Sequence, residues 1–316
     1  MLTPKIFLNL VEIQTKIASL FPFLIGTLFT YDYFGTLNWL VTGVFFASML
    51  IFDMTTTGIN NLIDYKKATN EDYKKNHNII GTANLSEKGV AILLVCMLAI
   101  ATGLGLWLVY LTDIFVLLIG AICFFIGIFY TYGPLPLSRL PLGEVFSGVT
   151  MGFGILFLVV YINVPHLNLI VLYINSSTGL LSIHLDLVLL ATIALVAIPP
   201  MLTISNIMLA NNICDLEQDI KNNRHTLPYF IGKDKAVYLF EICYIAAYMA
   251  ILIAFTLNLY SWYAVAVFGA TLVPIYKNLA QFRAKQIKSQ TFVVSIKNMV
   301  LINGATVVAL GLAILL

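Results

Sequence analysis

The sequence predicts an all-α integral membrane protein with nine transmembrane helices in a bundle around a central cavity, and three observations lead to this fold class. Of the 316 residues, 60% are hydrophobic and only 10% are charged, a balance that the core of a water-soluble domain cannot accommodate. Long apolar runs alternate with short polar stretches, and the charged residues are gathered in those stretches. We therefore expect a single transmembrane domain over residues 1–316, with lipid as its main solvent.

Each apolar run is long enough to cross the hydrocarbon core of a bilayer, which takes roughly 20 helical residues. The runs are too long and too uniformly apolar for barrel strands, so the backbone must satisfy its hydrogen bonds as helices. In chain order, the predicted spans are 15–31, 37–60, 89–111, 114–131, 143–163, 186–212, 236–256, 260–281 and 297–315.

The first span follows a short polar lead without a small-residue cleavage site, so we expect it to stay in the protein. The four cysteines, scattered singly, are interpreted as helix-packing residues. A net charge of +2 gives no general basic surface for nucleic acid.

The lysines and arginines predict the orientation. All 17 of them lie in or beside connections that the order of the spans places on one side of the membrane. The opposite connections, near 32–36, 112–113, 164–185 and 257–259, contain none. Because basic residues favour cytoplasmic loops, we expect the amino terminus and the charged loops in the cytoplasm, with the protein in the cell membrane. The apolar connection 164–185 would then lie outside, where an interfacial helix is compatible with its composition.

A short motif occurs twice. The second span ends in Asn60-Asn61-x-x-Asp64, and the sixth ends in Asn211-Asn212-x-x-Asp215. Two similar four-helix halves plus one closing helix would bring both endings to a shared cavity, as internal repeats in membrane proteins do.

The second ending carries four oxygen-bearing side chains at helical spacing, namely Asn211, Asn212, Asp215 and Asp219. At this spacing they share one broad face, and carboxylate and amide oxygens suit Mg²⁺, which leaves its other ligand positions to water or phosphate. The alternative interpretation is a solvated loop whose acids pair with Lys221 and Arg224.

The first ending repeats the pattern with Asn60 and Asp64 at i, i+4, and Asp53 lies about two turns deeper on the same face. An ionisable residue at that depth is a functional hypothesis by default. Asp53 has an equally simple structural interpretation, a hydrogen bond to Thr55, Thr56 or a neighbouring helix.

Several blocks together resemble a known family. They are Gln14-Thr15-Lys16 with Pro22 and Gly26-Thr27, Asp64-Tyr65-Lys66-Lys67, the stretch from Gly81 to Ser86, Tyr130-Thr131-Tyr132-Gly133-Pro134-Leu135-Pro136 with Leu142-Gly143-Glu144, and Asn211 to Asp219 with Arg224-His225-Thr226-Leu227. This combination resembles the UbiA prenyltransferase superfamily, most of all its 1,4-dihydroxy-2-naphthoate polyprenyltransferase (MenA) branch in the menaquinone pathway.

The resemblance implies a Mg²⁺-dependent transfer of a polyprenyl chain from its diphosphate to an aromatic acceptor. With 1,4-dihydroxy-2-naphthoate as acceptor, the products would be demethylmenaquinone, CO₂ and diphosphate. Metal binding would fall to Asn60, Asp64, Asn211, Asp215 and Asp219, of which Asp64, Asp215 and Asp219 would be catalytic. Substrate binding would fall to Asn60, Lys66, Tyr130, Arg139, Asn211, Asn212 and Arg224, and Tyr130 and Glu144 would line or brace the site.

The first motif departs from the family pattern. Relatives usually carry acids where this chain has Asn61 and Asn70, and Glu71 and Asp72 could substitute only if the loop shifts. An amide brings no charge, so we expect weaker metal binding at this end.

Two alternatives remain open from the sequence. The acceptor could be of the 4-hydroxybenzoate, homogentisate or haem type. From another class, a secondary transporter also combines an internal repeat with intramembrane acids, and Pro199-Pro200 hints at a broken helix.

Overall fold

The structure is a computed structural model that describes residues 2–68, 78–131, 140–174, 179–221 and 224–316. Apart from one short hairpin, the regular elements in these ranges are helices. They are α1 (Pro4–Leu10), α2 (Ile17–Phe34), α3 (Trp39–Lys67), α4 (Ile79–Thr82), α5 (Glu87–Leu111), α6 (Ile114–Thr131), α7 (Gly143–Ser147), α8 (Ile155–Asn163), α9 (Leu187–Cys214), α10 (Leu216–Lys221), α11 (Leu227–Ile231), α12 (Lys233–Thr256), α13 (Ala264–Ala284) and α14 (Val293–Leu315). A π-helix, Gly148–Gly154, joins α7 to α8, and 3₁₀ turns occupy Ile13–Lys16 and Pro165–Leu167.

All the predicted spans fall on helices. Among the described residues, seven helical segments are long and apolar enough to cross a membrane, namely Ile13–Phe34, Trp39–Lys67, Glu87–Leu111, Gly143–Asn163, Leu187–Cys214, Lys233–Thr256 and Val293–Leu315. The apolar part of α6, Ile114–Gly127, is shorter, and α13 carries Lys277 and Arg283 in its second half. The predicted helical membrane architecture is therefore confirmed, whereas the count of nine spans stays a prediction.

Large apolar side chains on the outside of the helices identify lipid as their solvent. On α12, Tyr238, Ile245 and Leu252 lie two turns apart on one face and are 65%, 61% and 53% exposed. Contiguous apolar surface of this kind is unusual on a soluble monomer but is what a bilayer requires.

The contacts divide the chain into two compact units, one of Met1–Ser19 with Trp39–Pro134 and the other of Leu20–Asn38 with Leu135–Leu316. Most of α2 thus belongs to the second unit, where Gly26 packs so closely on α8 that an added β-carbon would lie 3.1 Å from the Leu156 carbonyl oxygen. The predicted division into two four-helix halves and a closing helix stays a prediction, because contacts define these units and do not test whether two halves of the chain are similar. The predicted single domain and central cavity stay predictions.

In the first unit, α3 packs along α5, and Gly58 of α3 lies directly against Leu94. The two short helices, α1 and α4, close one end of this pair. Their residues Leu10 and Ile80, both fully buried, join Leu62 and Leu94 in one apolar cluster. This cluster supports the last two turns of α3, where the first motif lies.

In the second unit, α9 packs against the π-helix, α12 and α14. The π-helix approaches α9 with Gly148 and Gly152, spaced like the small residues at membrane helix interfaces. A β-carbon at Gly152 would lie 2.5 Å from the Met201 Cα, so only glycine allows this approach of the two backbones.

The connection after α8 is a hairpin, so the expectation of an interfacial helix at 164–185 is wrong. Strands β1 (Ile170–Ile174) and β2 (Leu181–Leu185) pair antiparallel, with Ile170 opposite Leu185. Asp186 follows at once and caps α9 by accepting a hydrogen bond from the Leu189 N–H at 2.9 Å. Branched residues such as Ile170, Val171 and Ile183 favour the extended backbone here.

Candidate metal and diphosphate site

The second motif lies where α9 ends and α10 begins. Asp215 stands between the two helices with φ −95° and ψ 5°, outside the regular helical geometry. The helical hydrogen bonds nevertheless continue through it, because the Asp215 N–H donates to the Asn211 carbonyl and the Asp219 N–H donates to the Asp215 carbonyl at 2.8 Å. Asn211, Asp215 and Asp219 therefore follow one another at intervals of one turn, as the spacing predicted.

A lysine from a distant connection binds this motif. The Lys288 ammonium lies 2.5 Å from Asp215 Oδ2 and also donates to Asn211 Oδ1. The same ammonium lies 5.1 Å from the centre of the Phe292 ring, within the range of a cation–π interaction. The carboxylate and amide oxygens of the motif thus face one common position that already suits a cation.

Asp219 is the buried acid of the motif, with a side chain only 4% exposed. Burial raises the pKa of its carboxyl group and the nearby Asp215 raises it further, while Arg224 and Lys288 lower it. Arg224 Nη1 lies 3.4 Å from Asp219 Oδ1, and Oδ2 has no hydrogen-bond partner among the described residues. A buried carboxylate is costly to keep charged, so a further cation beside it would stabilise its charged form.

Asn212 has a different partner from Asn211. It is buried, and its amide donates to Glu144 Oε1 of α7 at 2.8 Å. Ser205 of α9 donates to the Glu144 backbone carbonyl at 2.6 Å. These bonds tie α7 to α9 just below the motif, the bracing position that the resemblance implied for Glu144. The substrate contact assigned to Asn212 stays a prediction.

The first motif occupies the last turns of α3, where Asn60, Asp64 and Lys66 lie and where Asp64 and Lys66 are exposed. Asn61 beside them has a structural bond instead: its amide donates to the Leu10 carbonyl at 2.9 Å and to Glu12 Oε1 at 3.2 Å.

Asp53, deeper on α3, belongs to a buried ion pair. Lys16 donates to Asp53 Oδ1 at 2.7 Å and to Thr57 Oγ1 at 2.6 Å, while Ser19 donates to Asp53 Oδ2 at 2.6 Å. The Lys16 and Asp53 side chains are 6% and 18% exposed. Of the two interpretations from the sequence, the bond to a neighbouring helix is therefore confirmed.

Some predicted site residues fall outside the described part of the chain. These are Arg139, the side chain of Tyr130, and the loop residues Asn70, Glu71 and Asp72. The prediction that the two motifs serve one pocket stays a prediction, because they belong to different units.

The second motif fits Mg²⁺ by its ligand chemistry. Over the described ranges, no three His, Cys, Asp or Glu side chains form a complete metal site by themselves. Mg²⁺ does not need one, because it is held by one or two carboxylates with phosphate oxygens and water completing the octahedron. The oxygens of Asn211 and Asp215, which converge on an ammonium, and the unpartnered Oδ2 of Asp219 offer such a partial set.

Sequence reasoning missed Lys288 as a site residue. It counted this lysine only among the cytoplasmic charges. The residue lies 73 positions after Asp215, and no local spacing connects the two. The only signal was its position in a basic connection on the same predicted side of the membrane.

Comparisons with known proteins agree with the resemblance. Residues 19–302 match the UbiA prenyltransferase family. The chain is 27% identical over 248 residues to 1,4-dihydroxy-2-naphthoate octaprenyltransferase of Bacillus subtilis (strain 168), which covers 78% of this chain and 72% of that protein.

Solved structures share the fold. A UbiA homolog from Aeropyrum pernix K1 superposes with a TM-score of 0.67 at 16% identity, covering 93% of this chain and 98% of that one. A UbiA homolog from Archaeoglobus fulgidus bound to GPP and Mg²⁺ gives 0.64 at 12% identity, covering 98% and 100%. A digeranylgeranylglyceryl phosphate synthase gives 0.65 at 16% identity, covering 99% of each chain.

Proposed function

The chain belongs to the UbiA prenyltransferase family, and from this premise we propose that it transfers a polyprenyl chain from polyprenyl diphosphate to 1,4-dihydroxy-2-naphthoate. The products are the quinol form of demethylmenaquinone, CO₂ and diphosphate. The protein is an integral membrane prenyltransferase, so the secondary transporter that the sequence left open is set aside.

One observation carries the proposal: the second motif gathers Asn211, Asp215 and Asp219 one turn apart, with the cations Lys288 and Arg224 beside them. Such a group of oxygens and cations suits a metal-bound diphosphate, since the carboxylates hold the metal and the cations hold phosphate oxygens. In the proposal, the first motif contributes further metal-binding oxygens from Asn60 and Asp64 and a further cation from Lys66. Arg139 contributes another cation.

Bound Mg²⁺ supplies charge neutralisation for the departing diphosphate. Asp215 and Asp219 would hold the metal, and Arg224 would stabilise the charge that develops as the allylic carbon–oxygen bond breaks. The electron pair leaves with the diphosphate, and the allylic carbon forms a bond to the acceptor ring, which loses its carboxyl group as CO₂. The Asn212–Glu144 bond keeps the end of α9 in place during these steps.

Two observations favour the naphthoate as acceptor. The Bacillus subtilis relative is named for this acceptor and for an octaprenyl donor. The block from Tyr130 to Pro136 and the second Asn-Asn-x-x-Asp motif resemble those of the same branch. The geranyl and dimethylallyl diphosphates bound to the Archaeoglobus fulgidus homolog support a prenyl diphosphate as donor.

We also propose that the amino terminus and both motifs lie on the cytoplasmic side of the cell membrane. The basic residues support this, and the tryptophans mark the opposite membrane surface. All three, Trp39, Trp107 and Trp262, lie near the helix ends away from the basic connections and are 75%, 45% and 79% exposed. Exposed tryptophan at helix ends is typical of a membrane interface.

The test is a prenyl transfer assay with purified protein, Mg²⁺, a polyprenyl diphosphate and one of three acceptors: 1,4-dihydroxy-2-naphthoate, 4-hydroxybenzoate or homogentisate. We expect mass spectrometry to find the decarboxylated prenyl product only with the naphthoate. A product with another acceptor alone would contradict the proposed acceptor, and no product from an intact protein would contradict the proposed reaction.

Asp215→Asn should lower the rate of transfer by about 10²-fold or more while the melting temperature stays close to that of the wild type, because the metal loses a charged ligand. Asp64→Asn should act in the same way. Glu217→Gln is the matched control, since Glu217 is an exposed acid on α10 that carries no role in the site. Full activity in Asp215→Asn would remove the second motif from the mechanism.

A further inference from the structure

Lys288 contacts the oxygens that the proposed function assigns to the metal. Its ammonium bonds to Asn211 Oδ1 and lies 2.5 Å from Asp215 Oδ2, and the side chain as a whole is 45% exposed. Mg²⁺ binds carboxylate oxygen at about 2.0–2.1 Å, so an ammonium and a metal on the same oxygen would lie within a few ångströms of each other. Two cations so close repel each other, and they therefore compete for these oxygens.

The connection between α13 and α14 holds Lys288 in this place. Its backbone forms a tight turn over Ile287–Thr291, in which the Ile287 carbonyl accepts hydrogen bonds from the N–H groups of Gln290 and Thr291 at 3.0 and 2.8 Å. The Thr291 hydroxyl, which is buried, closes the turn by accepting from the Ile287 N–H at 2.9 Å. The position of Lys288 is thus a property of a structured turn.

The connection is also fixed where it leaves α13. Arg283 donates through Nε and Nη2 to the two carboxylate oxygens of Glu241 on α12, each at 2.6 Å. Bidentate pairs of this kind have a defined geometry. The Phe292 ring beside the ammonium completes the support on the other side of the turn.

We propose that Lys288 is a mobile counter-cation of the second motif, which neutralises Asp215 and bonds to Asn211, yields these oxygens to a divalent cation, and then pairs with the diphosphate. The proposal rests on the proposed function. It makes Lys288 a diphosphate-binding residue contributed by the last connection of the chain, in addition to the cations that the sequence motifs supply. The exposed stem of the side chain allows the ammonium to move while the Ile287–Thr291 turn stays in place.

The proposal predicts opposite effects of one substitution on two ligands. In Lys288→Met, Mn²⁺ alone should bind more tightly, at least about fivefold, because its competitor is gone. In the same variant, inorganic pyrophosphate at saturating Mn²⁺ should bind more weakly, since one of its cations is lost. A purely structural salt bridge would not produce this reversal.

The experiment measures Mn²⁺ binding by electron paramagnetic resonance and pyrophosphate binding by calorimetry, on the full chain in detergent. Lys285→Met is the matched control, because Lys285 is an exposed lysine of the same connection, and it should bind both ligands as the wild type does. Lys288→Arg should restore pyrophosphate binding at least in part, which keeps the test valid if Lys288→Met is poorly folded.

Unchanged or weaker Mn²⁺ binding in Lys288→Met, or unchanged pyrophosphate binding, would overturn the proposal. The proposed function fails by a different result, namely a wild-type protein that transfers no prenyl group. An active wild type whose Lys288→Met variant binds Mn²⁺ as before contradicts only the role of Lys288.

Discussion

At the scale of single residues, Asn61 explains why this chain departs from the usual acid in the first motif. Its amide donates to the Leu10 carbonyl and to Glu12, two acceptors that a carboxylate in its place could not satisfy. Its own backbone carbonyl accepts from the Asn78 amide at 3.0 Å. The residue connects α3 to the amino-terminal segment, so the amide at this position serves packing.

Asn61→Asp should therefore lower the free energy of unfolding by about 1–3 kcal/mol, because a negative carboxylate would face two unpaired acceptors. Thermal unfolding in detergent measures this loss of stability relative to the wild type. Asn84→Asp, which introduces the same charge at an exposed position of the same unit, should change the melting temperature little. An unchanged melting temperature in Asn61→Asp would contradict the structural role.

The Lys16–Asp53 pair gives a second prediction at this scale. Asp53→Asn should cost about 3–5 kcal/mol of stability, since it leaves a buried ammonium without its counter-charge. The control is Asp113→Asn, where the carboxylate oxygen caps α6 and an amide oxygen can do the same. Equal melting temperatures for the two variants would show that the Lys16–Asp53 pair contributes nothing to stability.

At the scale of elements, the close approach of the π-helix to α9 depends on glycine. A β-carbon at Gly152 would meet the backbone of Met201, which has no side-chain freedom with which to yield. Since Glu144 precedes the π-helix and bonds to Asn212, any separation of these elements is transmitted to the end of α9.

Gly152→Ala should accordingly destabilise the protein by about 1–3 kcal/mol or more, the usual range for overpacking, and lower activity with it. In Gly269→Ala, the matched control, the added methyl group meets no atom within 4 Å and should be tolerated. The comparison is made from melting temperatures in detergent. If Gly152→Ala had the same melting temperature as Gly269→Ala, the two backbones could separate without loss of stability.

At the scale of the whole molecule, the distribution of basic residues predicts the orientation. Cysteine labelling tests it in a variant without the four native cysteines. Ser289→Cys, in the connection that carries Lys288, should react with an impermeant maleimide only after the membrane is opened. Thr256→Cys lies at the carboxyl end of α12, on the predicted outer side, and should react in intact cells. Both positions are exposed, so accessibility to the reagent depends on the side of the membrane. Labelling of Ser289→Cys in intact cells would reverse the orientation.

The sequence by itself determined the membrane class, the places of the long helices and the one-turn spacing of the second motif. Hydrophobic run length and i, i+4 spacing are local properties, and the spans and the Asn211–Asp215–Asp219 row were predictable for that reason. The hairpin at 170–185 was not, because a short apolar run does not by itself distinguish a strand from a helix.

Only the tertiary structure decided which side chains meet across long separations. It assigned Asp53 to Lys16, paired Asn212 with Glu144, grouped most of α2 with the second unit, and brought Lys288 to Asp215. Each of these contacts depends on how separate helices pack. Packing depends on how whole helix surfaces fit together, for example where Gly26 of α2 and Gly152 of the π-helix allow close approach. The spacing of residues along the chain does not predict which surfaces will meet.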